Sequence, residues 1–301
     1  MEKRSALYSL LVFGGLLGLC FAFLLVLFHA SEPDEGEVGW GQAGRADKKK
    51  GPRVGVVEVS GVITESKDIL GQLHDLRSDA KISAIVVRID SPGGAVAPSQ
   101  EIFAAIQRAR KEKKVVCSMG NVAASGGYYI AAACDRIFAS SGTITGSIGV
   151  ISEFPHIGEL LKLARVEVDT MKSGGMKDIG SPLRPMTAEE KTFFQSLIDG
   201  IHEQFITDVA QARKLDLPEL RKIADGRILT GKQALSAHLI DELGTLEDAV
   251  EAAAKLAGQT GEPVPIFRKR PSRGLVGDLV RGATEAVSVP RGGIEARDPR
   301  L

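Results

Sequence analysis

Cysteine, aromatic residues and net charge are all scarce in this sequence, and each shortage closes off a class of function. Three cysteines in 301 residues, Cys20, Cys117 and Cys134, are too few for a disulfide framework, and Cys20 lies within an apolar segment. No Cys/His spacing suggests a zinc site. Lys plus Arg (38) balances Asp plus Glu (38), so no field draws in a polyphosphate, and no basic stripe interleaved with aromatics stands outside the tails. Nucleic acid is not an expected partner. Aromatics make up 5% while glycines number 34, a pairing that points to tight turns and close packing of small residues. With 44% hydrophobic and 25% charged residues the chain is not disordered, and at roughly 150 residues per domain its length allows one or two domains.

Long uncharged runs are absent except at one place. Residues 7–28, LYSLLVFGGLLGLCFAFLLVLF, carry no charge over 22 positions, enough to cross a hydrocarbon core about 30 Å thick at about 1.5 Å per residue. A cleaved signal peptide has a shorter apolar core, about 7–15 residues, ending at a small-x-small site. This run ends Phe28-His29-Ala30-Ser31, so the expectation is a transmembrane helix. Lys3 and Arg4 precede it, and Arg45 and Lys48 are the first cations after it, which places residues 1–6 in the cytoplasm and the globular part outside it. Residues 29–52, acidic, then glycine-rich, then basic, read as a flexible linker, and residues 259–301 as a mobile C-terminal extension.

Between residues 53 and 258, β-branched runs alternate with helical periodicity, the pattern of one α/β domain with a substantially parallel sheet. Strands are expected at Val54–Val59, Ala84–Ile89, Val115–Met119, Arg136–Ala139 and Val166–Met171. A helix at 98–113 puts Ile102, Ile106 and Ala109 on one face. A longer one at 188–214 spaces Phe194, Ile198, Ile201, Phe205 and Val209 by three or four, and both read as core-facing.

Two glycine-framed turns could hold chemistry. In Asp90-Ser91-Pro92-Gly93-Gly94 the paired glycines free backbone N–H groups to point into a pocket at a strand's C-terminal end, although a plain βα turn would look the same. In the segment from Gly120 to Ala139, Ser125 precedes Gly126 and Gly127 at a helix start, where its hydroxyl suits either a nucleophile or a helix cap. A nucleophilic serine needs a base. Of His29, His74, His156, His202 and His238, none has a glycine-framed setting or an obvious orienting carboxylate, so a histidine triad is poorly supported. A lysine can act instead if burial strips its proton at neutral pH, and Lys177 stands in a loop among small residues. Gly226 to Gln233 approaches a phosphate-binding loop, but Gln233 replaces the required Ser/Thr and no apolar strand precedes it. Ser78 with Lys81 lies in a charged stretch and reads as solvent-facing.

Together, A-S-G-G-Y-Y, K-S-G-x-x-K-D-x-G-S-P, S-P-G-G and T-G-S-I-G-V resemble the signal peptide peptidase family, the SppA-type serine proteases whose fold is related to the ClpP and crotonase folds. The resemblance covers roughly residues 53–258. It implies a domain of repeated ββα units, with Ser125 as nucleophile, Lys177 as general base and Ser147 orienting the lysine amine. It also implies an oxyanion hole from N–H groups of Gly93 or Gly94 and of Gly126, and no metal or cofactor. The expected activity is a membrane-anchored serine endopeptidase that degrades remnant signal peptides and other extended apolar peptides. It would sit in a bacterial inner membrane, with the protease domain on the extracytoplasmic side. The resemblance further implies a homo-oligomeric ring or dome in which serine and lysine come from neighbouring subunits. The alternatives are a crotonase-like acyl-CoA enzyme, which would need neither the anchor nor the Ser125–Lys177 pair, and a catalytically silent membrane scaffold.

Overall fold

The computed structural model describes residues 51–267. The expected transmembrane helix at 7–28, residues 1–6, nearly all of the 29–52 linker and the tail beyond residue 267 lie outside the described residues. Among the described residues no helix is long and apolar enough to cross a membrane.

The β-branched runs fold as expected into β1 (Arg53–Ser60), β2 (Ile82–Ser91), β3 (Lys114–Ala124) and β4 (Arg136–Ala139), separated by α1 (Lys67–Ser78), α2 (Val96–Ala109) and α3 (Gly126–Ala132). Strand and helix alternate singly here, so the chain order differs from a strict ββα repeat. The four strands pair in parallel, with Val56 opposite Val86 and Val86 opposite Val116. After β4 come β5 (Ile144–Gly146), α4 (Gly158–Leu163), α5 (Ala188–Arg213), α6 (Leu217–Arg221), β6 (Ile228–Thr230), α7 (Gly231–Ser236), β7 (Glu242–Leu243), α8 (Leu246–Leu256) and β8 (Val264–Phe267). The sheet runs β6-β5-β3-β2-β1-β8, with β4 alongside the first half of β3 and β7 alongside β4. The β5–β6 pair is antiparallel, which makes the sheet mixed.

Helices cover both faces of the sheet, and this is why its inner strands read as unbroken apolar runs. On one face Val57, Ile85 and Ile89 pack with Ile102 and Ile106 of α2 and with Tyr128 and Ile130 of α3. On the other, Val54, Val56, Val86, Val116 and Phe138 pack with Ala249, Val250 and Ala253 of α8. Each fully buried aliphatic side chain contributes about 1.5–3 kcal/mol. The packing therefore fixes α2 and α3 firmly on the sheet, and both helices begin at the site described below.

Three expectations need correction. Val166–Met171 is not a strand: Val166, Val168 and Met171 are exposed, and the segment pairs with no strand among the described residues. The domain does not end at residue 258, because β8, inside the expected mobile extension, pairs in parallel with β1. Only the C-terminal part of α5 faces the core: Phe205 and Val209 are buried, whereas Phe194, Ile198 and Ile201 are partly exposed. Cys117 and Cys134 are buried and free.

Candidate active site

The C-terminal end of β3 delivers Ser125 into a conformation that L residues rarely adopt, φ 51° and ψ −119°. Such backbone persists only where its surroundings over-determine it, at a cost of about 1–3 kcal/mol. Here the Ser125 N–H donates to the Gly146 carbonyl at 2.9 Å, and the Ser125 carbonyl accepts from Tyr129 N–H at 2.9 Å. Buried Thr145 ties β5 to β3 just before the turn, its Oγ1 donating to the Ala123 carbonyl at 2.7 Å. The Ser125 side chain makes no capping hydrogen bond to α3, so the helix-cap reading falls away and the hydroxyl stands partly exposed.

The Ser91–Gly94 turn presses against this serine. At Gly93, φ is 104°, and a Cβ there would lie 2.8 Å from Gly126 N and 2.9 Å from Ser125 Cβ. At Gly94 a Cβ would meet the Ile63 carbonyl oxygen at 2.2 Å. Only glycine admits so close an approach of three backbone segments. The three expected oxyanion donors are not equivalent. Gly93 N–H already donates to Ser91 Oγ at 3.1 Å, whereas the N–H groups of Gly94 and Gly126 have no partner among the described residues.

Gly94, Ser125 and Gly126 open on one cavity of about 110 Å³. Its walls are mostly apolar, built from Val96, Val150, Ile151, Ile201, Phe205 and the ring of Tyr129, with Gln100 as a polar side chain among them. Tyr129 packs between Phe103, tilted against it at 4.7 Å between ring centroids, and Phe205, edge-on at 4.9 Å. Its hydroxyl is given to Asp208, and burial, then that carboxylate, push the phenol further up from its ordinary range. The tyrosine therefore offers the cavity its ring. Buried Ser99 also borders the space, close enough that a Cβ on Gly126 would come within 2.5 Å of its Oγ. Of the wall residues, Tyr129 lies in the A-S-G-G-Y-Y motif, whereas Ile201 and Phe205 sit in the apolar repeat of α5 and read as core. Val150 entered only as the last residue of T-G-S-I-G-V, and nothing in the sequence pointed to Ser99 or Ile151.

Ser147 also has positive φ, 50°, and follows Gly146, which pairs with Ala124, so Ser147 and Ser125 leave adjacent strand ends side by side. Lys177 is elsewhere. It stands on a 3-10 turn, Gly175–Asp178, is exposed, and does not line the Ser125 cavity. The desolvation expected of it is not supplied by the described residues of its own chain. No histidine lines the cavity: His202 bonds the Ile148 carbonyl at 3.1 Å, and His74 meets Arg77. The phosphate-loop resemblance dissolves too, because Gln233 serves as capping-box partner of Thr230 at the start of α7.

Comparison with known proteins matches residues 107–260 to peptidase family S49 and residues 56–141 to the Clp protease family. A Synechocystis sp. protein whose name assigns it as a protease is 43% identical over 77% of this chain and 84% of its own length. The chain belongs to peptidase family S49. As a member of this family of serine proteases it has the Clp-like α/β architecture seen above. An Enterococcus faecium protein named for signal peptide peptidase SppA is 36% identical over 63% of this chain and 55% of its own length. Protease 4 of Salmonella typhi is 35% identical over 79% of this chain, which spans 40% of that longer protein. S49 membership removes the acyl-CoA and silent-scaffold alternatives.

Proposed function

We propose that Ser125 is the nucleophile and that Lys177 of a neighbouring subunit is its general base. One observation carries this reading: the strained, uncapped Ser125 opens on a cavity beside two N–H groups that have no partner among the described residues. The hydroxyl oxygen attacks the peptide carbonyl carbon while the amine takes its proton. The developing oxyanion accepts from Gly94 and Gly126 N–H, and losing one such donor typically costs about 10²–10³ in rate. The protonated amine then passes its proton to the leaving amine, and the same base activates water to hydrolyse the acyl-enzyme. Gly93 lets the donor loop close on the serine, and Ser147 stands where it can orient the arriving amine.

The trans arrangement is supported by the exposure of Lys177 among the described residues of its own chain. An amine works as a base only where water is removed from it. The stretch that carries it also exposes Leu163 (83%), Met171 (96%) and, at the rim of the Ser125 cavity, Ile151 (80%), apolar surface of the kind that another chain covers. A contact that joins the lysine surface of one copy to the serine cavity of the next is head-to-tail, and such contacts make a ring when the rotation between copies closes. The apolar cavity suits extended apolar peptides, remnant signal peptides among them. Residues 7–28 would tether the chamber to the bilayer with its protease domain on the extracytoplasmic side.

A fluorophosphonate, which reacts with activated serines, tests the dyad when followed by peptide mass mapping of the full chain. The label is expected on Ser125, absent in Ser125→Ala, and slower by at least about 10² in Lys177→Ala. Labelling of another serine, or a wild-type rate in Lys177→Ala, would overturn the assignment.

A further inference from the structure

Lys177 sits in a stretch with little to hold it. From Gly149 to Glu189 no residue is buried, so the apolar packing that fixes the rest of the domain is missing there. One attachment is aromatic: Phe154 packs against Gly180, where a Cβ would lie 2.6 Å from its ring, and meets Phe194 edge-on at 4.9 Å. The other is ionic and adjoins the lysine itself.

Asp178, next in sequence to Lys177, accepts from Arg184 Nε at 2.8 Å, Arg184 Nη2 at 2.7 Å and Lys172 Nζ at 2.6 Å. The same guanidinium gives its remaining edge to Glu190, Nη1 to Oε2 at 2.8 Å and Nη2 to Oε1 at 2.5 Å. Glu190 is buried and belongs to the capping box that starts α5, its Oε2 accepting Thr187 N–H at 2.8 Å. Arg184 thus bolts the lysine's turn to the first turn of a 26-residue helix. A planar fork of five donors can serve two carboxylates at once, whereas a single ammonium cannot reproduce that geometry.

We infer that Arg184, working through Asp178 and Glu190, is a positioning residue that sets where the Lys177 amine is presented. The inference rests on the reading of Lys177 as the base. It separates two duties on one face: exposed apolar residues make the contact between copies, and the ionic clamp fixes the amine that the contact delivers.

The test compares Arg184→Ala, Arg184→Lys, Lys177→Ala and the double Arg184→Ala/Lys177→Ala variant in the full chain. Peptide kcat and KM, fluorophosphonate acylation, assembly mass and melting temperature are measured for each. A misplacement of about 1 Å costs about 10²-fold in rate, so Arg184→Ala is expected to lower kcat and acylation roughly 10- to 100-fold. KM should stay within about twofold, as for a group that acts only on the chemical step, and assembly mass should not change. Arg184→Lys should recover part of the rate, and the double variant should be no slower than Lys177→Ala. A wild-type kcat in Arg184→Ala, a rise in KM alone, or loss of assembly together with activity would overturn the proposal. Full activity in Lys177→Ala would overturn the base assignment instead, and the two failures are told apart by that variant.

Discussion

Replacing Ser125 by glycine should leave the protein more stable than replacing it by alanine. Both changes remove the hydroxyl, so they differ in one respect: alanine keeps a Cβ at φ 51°, ψ −119°, and glycine does not. Relief of such a conformation is worth about 1–3 kcal/mol. Against this, glycine gives the unfolded chain extra freedom worth about 0.4–1 kcal/mol. The balance is about 1 kcal/mol in favour of Ser125→Gly, which for a domain of 150–250 residues corresponds to roughly 2–4 °C in melting temperature. Thermal melting of the two full-length variants, followed by circular dichroism, reads the difference directly. If Ser125→Ala melts at the same temperature as Ser125→Gly or above it, the serine is not strained. The argument that the fold holds it ready for chemistry would then fail.

Three further outcomes follow from the same geometry. Gly93→Ala should abolish hydrolysis, because its Cβ would lie 2.8 Å from Gly126 N and force the donor loop away from Ser125; kcat near wild type would refute the close approach. Ser147→Ala should lower kcat less than Ser125→Ala or Lys177→Ala do, and an unchanged rate would remove its orienting role. The Arg184 clamp should loosen in acid. Arg184 and the Thr187 N–H hold Glu190 down to about 2, and Arg184 and Lys172 hold Asp178 well below the usual carboxylate range. Depressed folded-state values mean that the stabilisation is complete above the ordinary carboxylate pKa of about 4 and is lost as pH falls from there towards 2. Limited proteolysis between residues 150 and 187 should therefore accelerate over that range, and less so in Glu190→Gln; a rate independent of pH would contradict this.

The inner strands were legible because both of their faces are covered, and apolar runs such as Ala84–Ile89 carry that fact in the sequence. The same rule misled at Val166–Met171. Its apolar residues imitate a strand, yet in this chain they meet solvent, and the pattern of residue types does not report whether a run is covered. β8 was missed because Val264–Phe267 is short and contains a proline, which an edge strand tolerates. At the site, the glycines announced the close approach of Gly93 to Ser125. Which N–H groups remain free did not show, since that depends on Ser91 Oγ occupying Gly93. The lysine was legible as a residue and its setting was not: its exposure, and the clamp through Arg184, follow from contacts that sequence spacing does not reveal.

The proposed sharing of a Ser125–Lys177 dyad between subunits is tested most directly by mixing two inactive chains. Ser125→Ala retains the amine and Lys177→Ala retains the alcohol, so subunits exchanged between the two assemblies should place an intact serine against an intact lysine. Peptide hydrolysis is predicted to reappear in the mixture while each variant alone stays inactive. A mixture that exchanges subunits, as shown by mass, and remains inactive at every ratio would contradict the account.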